Sequence, residues 1–293
     1  MKVSQSQYFA VRSQLLQSLD VIIALEREIM DFLVNITLDA ADELHTDFGR
    51  ANDLIPFWIN YAPKQRGRKP MGTSIPWAEV GEKSLSSNLL RAICQKDSSV
   101  TFPGLPFGGD VRFATDKALI HFDVKLTGPN DNVNEVVVPP QQVSGDGVIW
   151  NEGSTNSRCK VIGKIAQMEF QPKLPPFYVL NGKVLPCLTY FLKAVYTVQG
   201  LGVQPLDYLE VACLPNGLLL FDGPKYGVTP LLFIPGKDDR SKPIDDKRMR
   251  VRLDPLALLP GNWRCVKIHK GQSGWRTTLR LPSTDQASDK SDS

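Results

Sequence analysis

Histidine is nearly missing from this chain of 293 residues: only His45, His121 and His269 occur. Cysteine is sparse too. Cys94, Cys159, Cys187, Cys213 and Cys265 are scattered, odd in number and never spaced as Cys-x-x-Cys. That argues against a zinc site or a disulfide framework and for mostly buried free thiols in a reducing compartment. Nothing local supports a Cys/His or Ser/His nucleophile. No apolar run approaches the ~18 residues of a membrane span. The start, Met1-Lys-Val-Ser-Gln-Ser-Gln7, has no apolar signal core. The expected location is the cytoplasm, with no membrane partner.

An excess of one charge is also lacking overall, since 34 Lys and Arg face 31 Asp and Glu for a net +3. The balance hides segregation. Between Asp20 and Asp53 there are nine acids against Arg27 and Arg50, and between Lys237 and Arg280 twelve bases against five aspartates. A second basic group, Lys64, Arg66, Arg68 and Lys69, contains no acid. One basic strand alone reads as a solvated face. Two separate basic segments favour a surface for a polyanion, with an acidic outer face elsewhere.

The remaining composition, 42% hydrophobic and 22% charged, is that of an ordinary globular protein. Residues 8–48 carry an apolar stripe at near-helical spacing through Leu15, Leu19, Ile22, Ile23, Ile29, Phe32, Leu33 and Ile36, which predicts helix ending near Gly49–Asp53. Residues 54–76 form a Pro- and Gly-rich loop anchored by Phe57, Trp58 and Tyr61. Trp77–Cys94 reads as a helix holding Glu79 and Glu82. Gly128-Pro129-Asn130-Asp131 reads as a turn. Strands are expected at 189–198, 208–214, 217–221, 249–253, 263–269 and 276–281, with Leu214-Pro-Asn-Gly217 as a hairpin turn. The stretch 282–293 is polar and expected to be disordered.

The run Lys117–Lys125 alternates like a half-buried strand, with His121, Asp123 and Lys125 on one face and Ala118, Ile120, Phe122 and Val124 on the other. An acid and an ammonium fixed side by side, with Asp110 arriving from the preceding loop, suit a divalent metal and an activated water. Asp-X-Lys by itself is a common tripeptide, and its bland reading is a solvent-exposed pair on an edge strand. His121 reads first as a partly buried, hydrogen-bonded strand residue, and secondly as a contact to water or phosphate.

Several longer stretches add specificity. They include Pro56-Phe-Trp-Ile-Asn-Tyr61, Ile75-Pro-Trp-Ala-Glu-Val-Gly-Glu-Lys83, Gly128-Pro129, Gln142-Val-Ser-Gly145, Leu174-Pro-Pro-Phe-Tyr178, Val211–Phe221 and Pro235-Gly-Lys-Asp-Asp-Arg240. In these, in order over roughly residues 50–255, the chain resembles the BglI-like type II restriction endonucleases of the Pro-Asp…(Asp/Glu)-X-Lys nuclease superfamily. The resemblance implies an α/β fold: a restriction-endonuclease-like core with a mixed β-sheet flanked by helices, plus a β-rich DNA-recognition part. The expected layout is one nuclease domain over 1–281, with N-terminal helices in 1–50 serving packing or dimerisation, the catalytic core in 54–135 and the recognition part in 136–281.

By the same resemblance Asp110 and Asp123 are metal-binding acids, Val124 offers its backbone carbonyl to the metal, Lys125 is the catalytic lysine and Glu82 a further acid. The proline that often precedes the first acid is replaced here by Gly109. Lys237, Asp239, Arg248 and Asp131 fall on base-contacting positions, Arg68 stands where the family has lysine, and Arg250 shares the arginine-rich strand. Arginine or lysine reads guanine N7 and O6, and aspartate accepts from cytosine N4. The implied activity is Mg²⁺-dependent cleavage of double-stranded DNA at an interrupted GC-rich palindrome. Mn²⁺ is expected to substitute and Ca²⁺ to bind without turnover. The implied partners are a second copy of the chain and a cognate DNA methyltransferase. Competing readings are a repair or junction-resolving nuclease of the same fold and an inactive DNA-binding module.

Overall fold

The computed structural model describes residues 3–50, 53, 77–105, 108–150, 156–162, 167–199, 203–222, 232–236, 243 and 247–281. The stripe over 8–48 is realised as three helices rather than one: α1 (Gln5–Gln17), α2 (Leu19–Asp39) and α3 (Ala41–Arg50). Breaks fall at Ser18, whose hydroxyl turns back to the Gln14 carbonyl, and at Ala40. Splitting the stripe lets each piece wrap a different part of the core. Helix α4 (Trp77–Lys96) follows, as the sequence predicts.

Strands β1 (Val111–Ala114), β2 (Leu119–Thr127), β6 (Phe177–Leu180), β7 (Lys183–Tyr196), β8 (Leu206–Leu214), β11 (Cys265–Gly271) and β12 (Gly274–Leu279) make one mixed sheet. Its order is β1-β2-β7-β8-β11-β12, with β6 on the first part of β7. Only the β2–β7 pair is parallel among the described strands. A small sheet has the order β3 (Glu135–Val138), β10 (Met249–Arg252), β9 (Phe233–Pro235), and β4 (Cys159–Ile162) pairs β5 (Gln167–Phe170). A short helix α5 (Leu253–Ala257) follows β10.

The main sheet is covered on both faces. Ile120, Phe122 and Val124 of β2, with Tyr190 and Val211, pack under Leu44, Phe48, Leu85 and Leu89 of the helices. The opposite face, through Phe191 and Ala212, packs against Val136, Val138, Phe233, Met249 and Val251 of the small sheet. This corrects the half-buried reading of β2: His121, Phe122, Asp123 and Val124 are all buried. A strand in parallel pairing inside a two-sided sandwich has no solvated face. β2 lies between β1 and β7, but β1 pairs only with Leu119–Phe122, so the Asp-X-Lys stretch runs past its end and is paired with β7 alone.

Two further expectations fail. Residues 217–221 are not a strand and 214–217 is not a hairpin turn; Leu218–Asp222 winds as a π-helical turn. Asn216, fully buried, directs it: its carbonyl accepts from the Leu219 and Leu220 amides and its side-chain oxygen from the Leu218 amide. The acids of 20–53 do not form a bare acidic face. Glu28, Asp39 and Glu43 pair with Lys117, Lys96 and Arg91, and Glu26 lies buried against Arg264 at 2.6 Å.

Candidate active site

Asp110 reaches β2 because two glycines let the chain lie against it. Gly108 has φ +121°, a conformation open to glycine, and a side chain there would strike the His121 ring. A Cβ at Gly109 would sit 2.9 Å from the Phe122 carbonyl carbon, closer than atoms pack. Proline carries that Cβ as well, so the glycine in place of the family's proline has a steric reason here. The carboxylate of Asp110 then accepts the Val124 amide at 3.1 Å. Val124 keeps its side chain in the core while its main chain faces Asp110.

Asp123 is buried with 3% of its side chain exposed, and its ion pair to Lys125 measures 2.6 Å. Its other oxygen accepts from Gln142 Nε2 at 2.5 Å. Burial first, and the nearby Asp110 charge, push the Asp123 carboxyl up to about 6 despite Lys125 drawing it down. Two carboxylates crowded this way call for a cation. Among the described residues no three His, Cys, Asp or Glu side chains converge as a metal cage. Two carboxylates, a backbone carbonyl and water nonetheless suit Mg²⁺, which keeps several waters and uses few carboxylates. The residues present therefore fit such an ion.

Glu82, half-buried on α4, joins Asp110, Asp123, Val124 and Lys125 in lining a cavity of about 400 Å³. The same cavity is lined by Asp131, Arg248 and Arg250. Asp131 is exposed in the 128–131 turn, where its side chain accepts the Gly128 amide at 3.0 Å. Arg248 is exposed at the entry to β10, and Arg250 pairs with Glu135 of β3 at 3.1 Å. Arg68, Lys237 and Asp239 lie outside the described residues, as do the 54–76 loop and the 282–293 tail.

His121 is fully buried, and neither ring nitrogen has a hydrogen-bond partner among the described residues. That corrects the expected hydrogen-bonded strand histidine. Burial, then the Arg112 charge, lower its pKa to about 4, so it is neutral near pH 7.

Sequence reading missed the supports. Lys193 of β7, the register partner of Lys125, donates to the carbonyls of Val133 and, at 2.9 Å, Glu135. Arg280 holds Glu210 through two 2.8 Å contacts and Asp254 at 2.6 Å, and also reaches the Asn134 side chain. These buried charges grip the 132–135 segment. No local pattern could announce them, since their partners lie 26 to 146 positions away.

The family model described as restriction endonuclease BglI matches residues 3–268. The type II restriction enzyme BglI of Bacillus subtilis is 37% identical over 252 residues, covering 78% of this chain and 84% of that protein. The crystal structure of the restriction endonuclease BglI bound to its DNA recognition sequence matches with TM-score 0.77 and 33% identity, over 89% of this chain and 95% of that one. The crystal structure of tetrameric restriction endonuclease SfiI bound to cognate DNA matches with TM-score 0.54 and 16% identity over 90% and 96%, a likeness of fold alone.

Proposed function

The chain belongs to the BglI family of type II restriction endonucleases, and from that premise we propose that it hydrolyses double-stranded DNA at an interrupted GC-rich palindrome, with Mg²⁺ in the Asp110–Asp123 site. The observation carrying this is the shared cavity. The candidate cutting group (Glu82, Asp110, Asp123, Lys125) and the candidate reading group (Asp131, Arg248, Arg250) line one space. A duplex lying across its mouth would meet both.

Asp110, Asp123 and the Val124 carbonyl hold the ion, and Glu82 adds an acid at the rim. When bound, the ion lowers the pKa of a coordinated water and neutralises charge on the scissile phosphate. Lys125, fixed against Asp123, orients the attacking water or stabilises charge developing on the phosphate. In-line attack leaves 5′-phosphate and 3′-hydroxyl ends. Mn²⁺ replaces Mg²⁺, whereas Ca²⁺ supports binding without turnover.

Arg248 and Arg250 suit guanine edges and Asp131 suits cytosine N4. Arg68, Lys237 and Asp239 are proposed to complete the set. Two copies related by a two-fold axis set GCC-like half-sites around an unspecified spacer and leave 3′ overhangs. A cognate methyltransferase would protect the host sequence.

One plasmid digestion in Mg²⁺, with the ends sequenced, tests the whole reading. Discrete bands with a common half-site are expected, and Asp123→Ala should give none. A smear would replace sequence specificity with structure-specific cleavage. Wild-type cutting by Asp123→Ala would remove the assigned site. Sedimentation with a cut-site duplex distinguishes the expected dimer from a tetramer.

A further inference from the structure

Gln142-Val-Ser-Gly145 carries part of the family resemblance yet contributes no group to the cleavage scheme above. Its place in the fold supplies one. Pro139 and Pro140 open a tight 3-10 turn, Pro140–Gln142, whose carbonyl at Pro140 also accepts the Lys173 amide at 2.9 Å. Beyond it, Ser144 Oγ accepts the Gly217 amide at 2.7 Å and the Gly145 amide donates to Leu174 at 2.8 Å. The stretch is clamped on both sides by main chain. Gln142 is thereby presented, 9% exposed, to the wall of the cavity that Asp110, Asp123 and Lys125 also line.

A primary amide offers donors on one side and an acceptor on the other. Nε2 faces Asp123 at 2.5 Å, and turning the amide over would set two acceptors against each other. Asp123 therefore has one oxygen held by the Gln142 donor and the other ion-paired with the Lys125 ammonium. That arrangement leaves Gln142 Oε1 buried with no hydrogen-bond partner among the described residues. Buried acceptors are almost always satisfied, and one left open next to Asp123, on the wall of the cavity that Asp110 also lines, calls for a donor that arrives with the ligand. Water on a cation is such a donor, because its hydrogens point away from the ion.

We propose that Gln142 is a positioning residue of the metal centre: its N–H fixes the Asp123 carboxylate, and its Oε1 accepts a hydrogen bond from a water bound to the ion. This rests on the reading of Asp110 and Asp123 as metal ligands. Glutamate would not serve, since it would press a further carboxylate on Asp123. Methionine keeps the length and loses both bonds. Partners that orient metal ligands from outside are typically worth about 10–100-fold in metal affinity or activity.

The test uses the full chain and Mn²⁺ followed by electron paramagnetic resonance, with the Mg²⁺ concentration for half-maximal plasmid cleavage measured alongside. Gln142→Met is expected to weaken Mn²⁺ binding about tenfold or more and to raise the Mg²⁺ requirement in step, while the metal-free melting temperature moves little. Gln142→Asn, which withdraws the amide by one methylene, serves if the first variant fails to fold and should shift both readings the same way. Wild-type Mn²⁺ affinity and Mg²⁺ response in the folded variants would overturn the role, and so would a lowered melting temperature with metal affinity unchanged. Asp123→Ala separates the layers. If it loses Mn²⁺ and cleavage while Gln142→Met behaves as wild type, only the role of Gln142 falls. If Asp123→Ala itself binds and cuts normally, the metal reading falls with it.

Discussion

The candidate cutting and reading groups share a cavity but are assembled in opposite ways. Asp110, Asp123 and Lys125 come from 16 consecutive residues, brought together by one close approach of main chain at Gly108–Gly109. Asp131, Arg248 and Arg250 come from two segments more than a hundred positions apart, joined through β3–β10 pairing and buried charges. The first assembly depends on steric fit over a few ångströms. The second depends on long-range electrostatics, so the two should fail differently when perturbed.

The largest effect is expected from Arg280→Met. Removing the guanidinium takes from the buried Glu210 and Asp254 the cation they share, which costs about 3–5 kcal/mol. A fall in melting temperature of about 5–10 °C should follow. A melting curve like the wild type's would show that the charges are not what holds the reading segment. Next comes Lys125→Met, expected to slow cleavage about 10²–10³-fold while leaving plasmid binding in Ca²⁺ intact. Loss of binding in step with cleavage would erase the division between the groups.

Gly109→Ala sharpens the steric half of the comparison. Its new Cβ must displace the Phe122 main chain, at about 1–3 kcal/mol of overpacking, and shifts Asp110. Cleavage should drop about 10–100-fold with the cut sequence unchanged. A changed cut site would contradict the separation.

The most gradual effect, spread over a pH range, concerns Lys193, whose pKa burial lowers to about 8. Between about 8 and 10.5 the unfolded chain binds more protons at this residue than the folded one, so its contribution to stability rises with pH across that window. The full rise amounts to about 3 kcal/mol. Melting temperatures from pH 7 to 10 should therefore favour wild type over Lys193→Met increasingly. A pH-independent gap would mean that Lys193 is not buried as a charge.

The sequence made some of this legible for clear reasons. The α4 helix, the strand carrying Asp123 and the 128–131 turn announce themselves through periodicity and Gly-Pro-Asn-Asp chemistry. Face assignments on β2 also hold, since Asp123 and Lys125 pair with each other while Phe122 and Val124 enter the helix-side core. Burial was misjudged because alternation shows two faces but not what covers the polar one. The small sheet covering it comes from 135–138, 233–235 and 249–252. Leu218-Leu219-Leu220 reads as strand by composition, yet Asn216 coils it, and only tertiary burial of that amide decides the matter. Gln142 opens the Gln142-Val-Ser-Gly145 stretch, but no spacing rule connects it with Asp123.

Lys193 takes hold of the 132–135 segment by carbonyl oxygens, which every amino acid possesses. Such a grip is indifferent to the side chains it carries. Exchanging the neighbouring Asn130 or Asp131 need not loosen the anchorage, so that short turn is a natural place to randomise when seeking variants with altered target preference. In a lineage under pressure to recognise new sequences, the same indifference would let readout drift while the scissors stay sharp.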